Sequence, residues 1–391
     1  MQSIRHTGRL LSLDLFRGLT ILLMVIVNSP DLTGAWHHAY WEGATIADWV
    51  FPWFLLIVGV SLAMNETKLQ QQRLQLGDMV LWRSIGKRAL QLFALGLLVN
   101  LCYTGLSFEL NQVRLLGVLQ RIAIVYLVCA LLLLYLPRKM ILLLGVVLLL
   151  GYWALLSFVQ FPGAVVGDLT RGNTVVNLFD QSYLPGKLWR GHWDPEGLLS
   201  TFPAIVTGIS GLWVGWLLQG VTALPAAAAA RRWWQLFVAG LLLLGLGLLW
   251  SLQLPLIKQL WTGSFVLVTS GLGCIVFVLL QQIQQRMEQL SLVSKLLCFL
   301  KVLGTNATVL YLWHVVLHTL LTTPLFSQWW LQYGAATVDH ATRSGLSFYQ
   351  WLMQTLDGPG GIATVVYLLI FITLSVLPNF WLYQRRIFIK L

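Results

Sequence analysis

Residues 11–30 read LSLDLFRGLTILLMVIVNSP. This is a nearly continuous apolar run of the length a helix needs to cross a bilayer, about 20 residues. Nine more runs of this kind follow, at 46–64, 84–103, 114–136, 139–160, 198–219, 232–252, 262–281, 305–325 and 361–383. Of the 391 residues, 58% are hydrophobic and 10% charged, where a soluble domain carries about 25% charged residues. The 34 glycines and 19 tryptophans are scattered along the apolar runs. Disorder, a collagen-like fibre and a secreted disulfide scaffold are thereby excluded. The expected fold is all-α, a polytopic membrane helix bundle of about ten transmembrane helices forming a single domain over residues 1–391.

The formal net charge of +11 would suggest nucleic acid in a soluble chain. Here the lysines and arginines alternate between successive loops. The two termini and the even loops hold 17 of them, including Arg5, Arg9, Lys68, Arg73, Arg83, Lys87, Arg88, Arg138, Arg231, Arg286 and Arg385. The odd loops hold 6: Arg114, Arg171, Lys187, Arg190, Lys258 and Arg343. The positive-inside rule places both termini in the cytoplasm and the odd loops outside. No basic run is interleaved with aromatics as a nucleic-acid surface would be, so the expected partner is the lipid bilayer.

The first run is too long and continuous for a cleaved signal peptide. Cys102, Cys129, Cys274 and Cys298 stand apart in apolar surroundings, with no CxxC and no histidine at ligand spacing, so no metal site is expected. Residues 161–197 and 326–360 form two long outer loops, and loops of that length are usually functional or partly helical.

Polar groups at membrane depth carry the most information. Asn28 ends the first run and Asp48 begins the second, and the loop joining them carries His37 and His38 within Trp36-His37-His38-Ala39-Tyr40-Trp41. Topology thus brings an amide, an imidazole and a carboxylate to one face. A histidine there can accept a proton near neutral pH. A carboxylate can fix its tautomer, and an amide N–H can stabilise an oxyanion. The same residues also suit an interfacial anchor and a helix N-terminus. Asp14 and Arg17, three apart, fit an intrahelical pair or a site for an anionic ligand. Arg121 lies one heptad inside Arg114 and calls for a partner or a wet cavity. Trp193-Asp194-Pro195-Glu196-Gly197 has the form of a helix start on the His38 side. Asn306, His314 and His318 lie along the ninth run, as site candidates or hydrogen-bonded structural groups.

Leu13-Asp14-Leu15-Phe16-Arg17-Gly18, Val27-Asn28, His38-Ala39-Tyr40-Trp41-Glu42-Gly43, Ala47-Asp48 and Val50-Phe51-Pro52-Trp53-Phe54 resemble the heparan-α-glucosaminide N-acetyltransferase family and its bacterial relatives. Val113 to Arg121, Asp194-Pro195-Glu196-Gly197 and Gly304-Thr305-Asn306-Ala307 with Tyr311 and His314 resemble later blocks of that family. The resemblance implies transfer of an acetyl group from cytoplasmic acetyl-CoA to the amine of a glucosamine-type sugar across the membrane. It assigns catalysis to His38, Asn28 and Asp48. Arg17, Arg88, Arg121, Asn306 and His314 are then expected to serve the donor, and Trp41, Asp194 and Glu196 the acceptor. About ten residues precede the first run, which resembles the compact bacterial type, of the inner membrane with the His38 loop facing the periplasm. The resemblance also implies a homodimer. Direct transfer and an acetyl-His38 intermediate both remain open, as do a sugar transporter and an O-acyltransferase of envelope glycans.

Overall fold

The computed structural model describes residues 10–30, 32, 34–103, 113–189, 191–287, 289–322, 347–356 and 358–389. Arg5, Arg9, Arg190, Arg343 and most of the 326–360 loop lie outside the described residues. In chain order the helices are α1 (Leu11–Val27), α2 (Ile46–Met64), α3 (Glu66–Leu76), α4 (Asp78–Tyr103), α5 (Val118–Tyr135), α6 (Arg138–Phe158) and α7 (Val175–Tyr183). They continue with α8 (Thr201–Leu218), α9 (Ala226–Trp250), α10 (Gly263–Met287), α11 (Ser291–Thr305), α12 (Ala307–Thr322), α13 (Phe348–Thr355) and α14 (Ile362–Gln384). Each of the ten apolar runs falls on a helix. Helices α2, α5, α6, α8, α9, α10 and α14 are long and apolar enough to cross a membrane. Helix α1 has 17 residues, while α4 has 26 and begins on the charged segment Asp78 to Arg88.

The ninth run is carried by α12, and the feature the run length did not indicate lies at its start, where α11 and α12 meet at Asn306 with a bend of 83°. The Asn306 backbone leaves the helix, at φ −126° and ψ 44°. Its side-chain amide donates to the Ile387 carbonyl at 3.0 Å and accepts from the Ile389 N–H at 2.9 Å. The chain after α14 therefore bonds to the break instead of the helix continuing through it. The first arm, α11, lies against α1. A Cβ at Gly18 would fall 1.9 Å from the Leu300 carbonyl oxygen, and one at Gly304 would fall 2.1 Å from that of Asp14.

Helices α2 and α8 are joined in the same way at the centre of the bundle. A Cβ on Gly59 would lie 2.0 Å from the Gly208 oxygen, and one on Gly211 would lie 2.1 Å from the Leu56 oxygen. Small residues let backbones touch where lipid supplies no hydrophobic drive between helices. Two clusters of buried side chains flank this contact. Leu55, Val125, Ile205 and Phe265 centre one, and Phe16, Trp53, Leu56 and Phe277 centre the other. Helices α6 and α9 leave one flank open and apolar, with Leu143, Val146, Leu242 and Leu249 exposed, as suits a lipid-facing side.

At one end of the bundle the connecting segments bind to each other. Gly43 pairs with Ile257, and Arg114 pairs with Gly186. This end collects the loop before α2, the segment before α5, the α6–α8 connection with α7 inside it, and the loop between α9 and α10. The opposite end carries the polar helix α3 and the start of α4.

Candidate active site

The α2 N-terminus forms a capping box between Thr45 and Asp48. Asp48 Oδ2 accepts from the Thr45 N–H at 3.0 Å, the Thr45 hydroxyl at 3.2 Å and the Ala39 N–H at 3.0 Å. That oxygen ties the preceding loop to the helix start, a local role the sequence already allowed. The other oxygen is left for the site. Asp48 Oδ1 lies 2.9 Å from His38 Nδ1 and 3.2 Å from Lys258 Nζ, and Lys258 Nζ lies 2.9 Å from His38 Nδ1. Asp48 is fully buried, while the His38 side chain is 41% exposed. With Nδ1 held at the carboxylate, Nε2 is the ring nitrogen left for a substrate. Burial and the Lys258 ammonium hold the His38 imidazole below the usual histidine range, against the opposing pull of Asp48.

Asn28 ends α1 and donates through Nδ2 to His314 Nε2 at 3.1 Å. The tautomer follows from the other ring nitrogen. His314 Nδ1 lies 2.5 Å from the Tyr311 carbonyl, which can only accept, so Nδ1 carries the hydrogen and Nε2 is the acceptor. His314 thus orients Asn28.

His38, Asn28 and His314 line one cavity of about 1350 Å³. At the loop end its wall includes His38, Tyr40, Arg171, Trp193 and Lys258; at the opposite end it includes Arg17, Asn65, Lys68, Gln72 and Arg88. Between them lie Phe54, Ile57, Leu119 and Ile122. Arg17 donates to Asp14 at 3.2 Å and to the Ser61 hydroxyl at 3.1 Å. Arg88 stacks over the Tyr126 ring at 4.8 Å and also borders a smaller cavity of about 310 Å³ with Lys87 and Gln72.

Other expected site residues occupy different places. Arg121 is buried away from the cavity wall. It donates to the Gly197 carbonyl at 3.1 Å and the Ser200 hydroxyl at 2.5 Å, and it stacks over Trp261. Asn306 holds the helix break, also off the wall. Trp41 donates its indole N–H to the Leu169 carbonyl at 2.7 Å and packs edge-on against Trp193. Asp194 accepts two bonds from Arg114, at 2.7 and 2.5 Å, and Glu196 bonds to the same guanidinium. Of that trio, Arg114 and Glu196 reach the cavity.

Sequence reading passed over Lys258, Arg171 and Asp180. Arg171 stacks over both Tyr40 and Trp193, at 4.6 and 5.1 Å. Asp180, on α7, is buried with Oδ2 unbonded among the described residues. Burial lifts its carboxyl to about 7, opposed by the Leu198 N–H, increased by the Asp194 charge and opposed by Arg121. Lys258 had one visible sign, as a lone cation in the short apolar segment Leu254-Pro255-Leu256-Ile257 on the His38 side.

Together these features define a membrane-type helix bundle with a carboxylate-supported histidine at one end of an internal cavity and a basic mouth at the other. Residues 9–184 match the family model described as heparan-alpha-glucosaminide N-acetyltransferase, catalytic. This region, which contains Asn28, His38 and Asp48, is similar to that family, as its residue blocks implied. The chain is 27% identical over 400 positions to the heparan-alpha-glucosaminide N-acetyltransferase of Homo sapiens, covering 88% of this chain and 58% of the relative. It is 28% identical over 328 positions to that of Mus musculus, covering 70% and 48%. The chain therefore spans about half the length of the curated relatives it matches.

Proposed function

We propose that this chain is a transmembrane acetyltransferase that takes acetyl groups from acetyl-CoA on one side of a membrane and delivers them to an amino sugar of glucosamine type on the other. The observation that carries this reading is the cavity joining Arg88 and Lys68 to His38. The donor fits its chemistry. Cationic side chains at one mouth suit phosphates, and a passage lined by both apolar and polar side chains suits a slender acyl-bearing arm with amide groups along it. Arg17 and Arg88 are the donor-side residues that meet this description. Arg121 and Asn306 act on the fold instead, and His314 acts through Asn28. The excess of basic residues at the Arg88 end supports a cytoplasmic position for that end. The His38 end then faces outward, to the periplasm if the chain works in a bacterial inner membrane.

The chemistry follows from the two polar pairs. The amine attacks the thioester carbonyl, forming a C–N bond and a tetrahedral oxyanion, while His38 Nε2 takes the amine proton. Asp48 holds the Nδ1–H and stabilises the imidazolium. The Asn28 amide, fixed by His314, is the N–H donor for the oxyanion. The intermediate collapses by breaking the C–S bond, and the departing thiolate receives the proton held by the His38 imidazolium, which gives the free thiol and restores the neutral ring.

Sealed vesicles with labelled acetyl-CoA on the Arg88 side and glucosamine on the other test this reading. Labelled N-acetylglucosamine should appear on the far side and be lost with His38→Ala. Uptake of the sugar without an acyl donor would mark a transporter instead.

A further inference from the structure

The His38 cluster of ionisable groups includes one member from far along the chain. Lys258 stands 220 residues after His38, yet the loop that carries it is fastened to the His38 loop. The Gly43 N–H donates to the Leu256 carbonyl at 2.8 Å, and Gln259 Nε2 donates to the Ala39 carbonyl at 3.2 Å. The loop also closes on itself, with the Thr262 hydroxyl donating to the Pro255 carbonyl at 2.9 Å and the Ser264 hydroxyl to that of Leu254 at 2.6 Å. Trp261, at φ 55°, adopts a left-handed backbone that a bulky residue rarely takes. Edge-on packing against Phe51 and Phe265 holds it there. The Lys258 side chain, 13% exposed, is aimed by a rigid loop.

The triangle limits where protons can sit. An ammonium only donates, and a carboxylate only accepts. Asp48 Oδ1 can therefore accept from both Lys258 and an Nδ1–H, the tautomer that leaves Nε2 free, and the 2.9 Å between Lys258 Nζ and Nδ1 is then a contact of two donors across their shared acceptor. A doubly protonated ring would place a second positive charge beside the ammonium, with one carboxylate serving both. Among the described residues, Asp48 from α2, Lys258 from the α9–α10 loop and the neighbouring His37 are the ionisable groups that face the ring.

We propose that Lys258 is a positioning residue: its ammonium shares Asp48 with the His38 ring and keeps that ring singly protonated, so that Nε2 remains a base in an acidic medium. The catalytic consequence rests on the acetyltransferase reading, whereas the proton placement does not. Amino sugars are mostly ammonium ions at neutral pH and below, so a base that stays unprotonated there is what the acceptor's side requires.

The full-length protein in liposomes tests this in wild-type form and as Lys258→Gln, Lys258→Met and Lys258→Arg. Diethyl pyrocarbonate modifies only the unprotonated imidazole, and fragment-ion mass spectrometry separates His38 from His37. The pH midpoint of His38 modification should rise by about one unit in the two neutral variants and stay with the wild type in Lys258→Arg. The acid limb of acetyl transfer should move in the same way. An unmoved midpoint in both neutral variants overturns the proposal, and so does an equal shift in the arginine variant. A midpoint that moves as expected in a chain with no transferase activity supports the Lys258 role while refuting the acetyltransferase reading.

Discussion

Two charged clusters lie at the same end of the bundle and are built for opposite purposes. In His38–Asp48–Lys258 the carboxylate faces an imidazole and an ammonium, and the ring opens onto the cavity. In Arg114–Asp194–Glu196 two buried carboxylates face a guanidinium that does not lose its proton. The first can move a proton. The second can only hold its position, and it fastens the segment before α5 to the turn before α8. The difference teaches that shared charge and shared location do not make shared chemistry; the titratable partner does.

The largest effect should come from His38. His38→Ala should lower acetyl transfer by on the order of 10²–10⁴ while leaving thermal unfolding in detergent near the wild type, because the side chain is partly exposed. Arg114→Met should show the reverse pattern. It leaves Asp194 and Glu196 buried without their cation, a loss of about 3–5 kcal/mol, visible as a lowered melting temperature or failure to accumulate in membranes. If Arg114→Met unfolded like the wild type, the comparison would break.

Asn28→Ala should reduce turnover by on the order of 10², with His314→Ala weaker in the same direction, since it acts by orienting Asn28. A His314→Ala loss larger than that of Asn28→Ala would point to a direct role for the ring.

The smallest effect separates the clusters by pH. Asp180 sits beside the Arg114 cluster with its carboxyl raised to about 7, above its unfolded value of about 4. Such a group favours folding when protonated, so its contribution is full below pH 4 and is lost as pH rises through 7. Asp180→Asn should leave the melting temperature unchanged at pH 4 and raise it by a few degrees at pH 8.

Much of this was legible from sequence because it is local. Apolar run length gave the helix positions, and Asn28, His38 and Asp48 lie within 21 residues of one another, joined by a single loop. Asp48 also carried its own sign, a capping residue three positions after Thr45. What stayed hidden was long-range. Nothing near Lys258 specifies that its loop docks on Ala39 and Gly43. Asn306 and Arg121 look like site residues because polar groups at membrane depth demand partners. Their partners proved to be backbone and hydroxyl groups: Ile387 and Ile389 for one, Gly197 and Ser200 for the other. Burial cost alone does not distinguish a group that binds a ligand from one that secures the fold.

The continuity of the cavity has an electrical consequence. A passage that joins two compartments would short-circuit a membrane potential if it held a continuous chain of water. Phe54, Ile57, Leu119 and Ile122 share the wall with Asn28, Tyr311, His314 and His318, so the passage stays proton-tight only if its apolar side chains interrupt the water between those polar groups. The bundle can then be open to a slender acyl chain and still behave as an insulator.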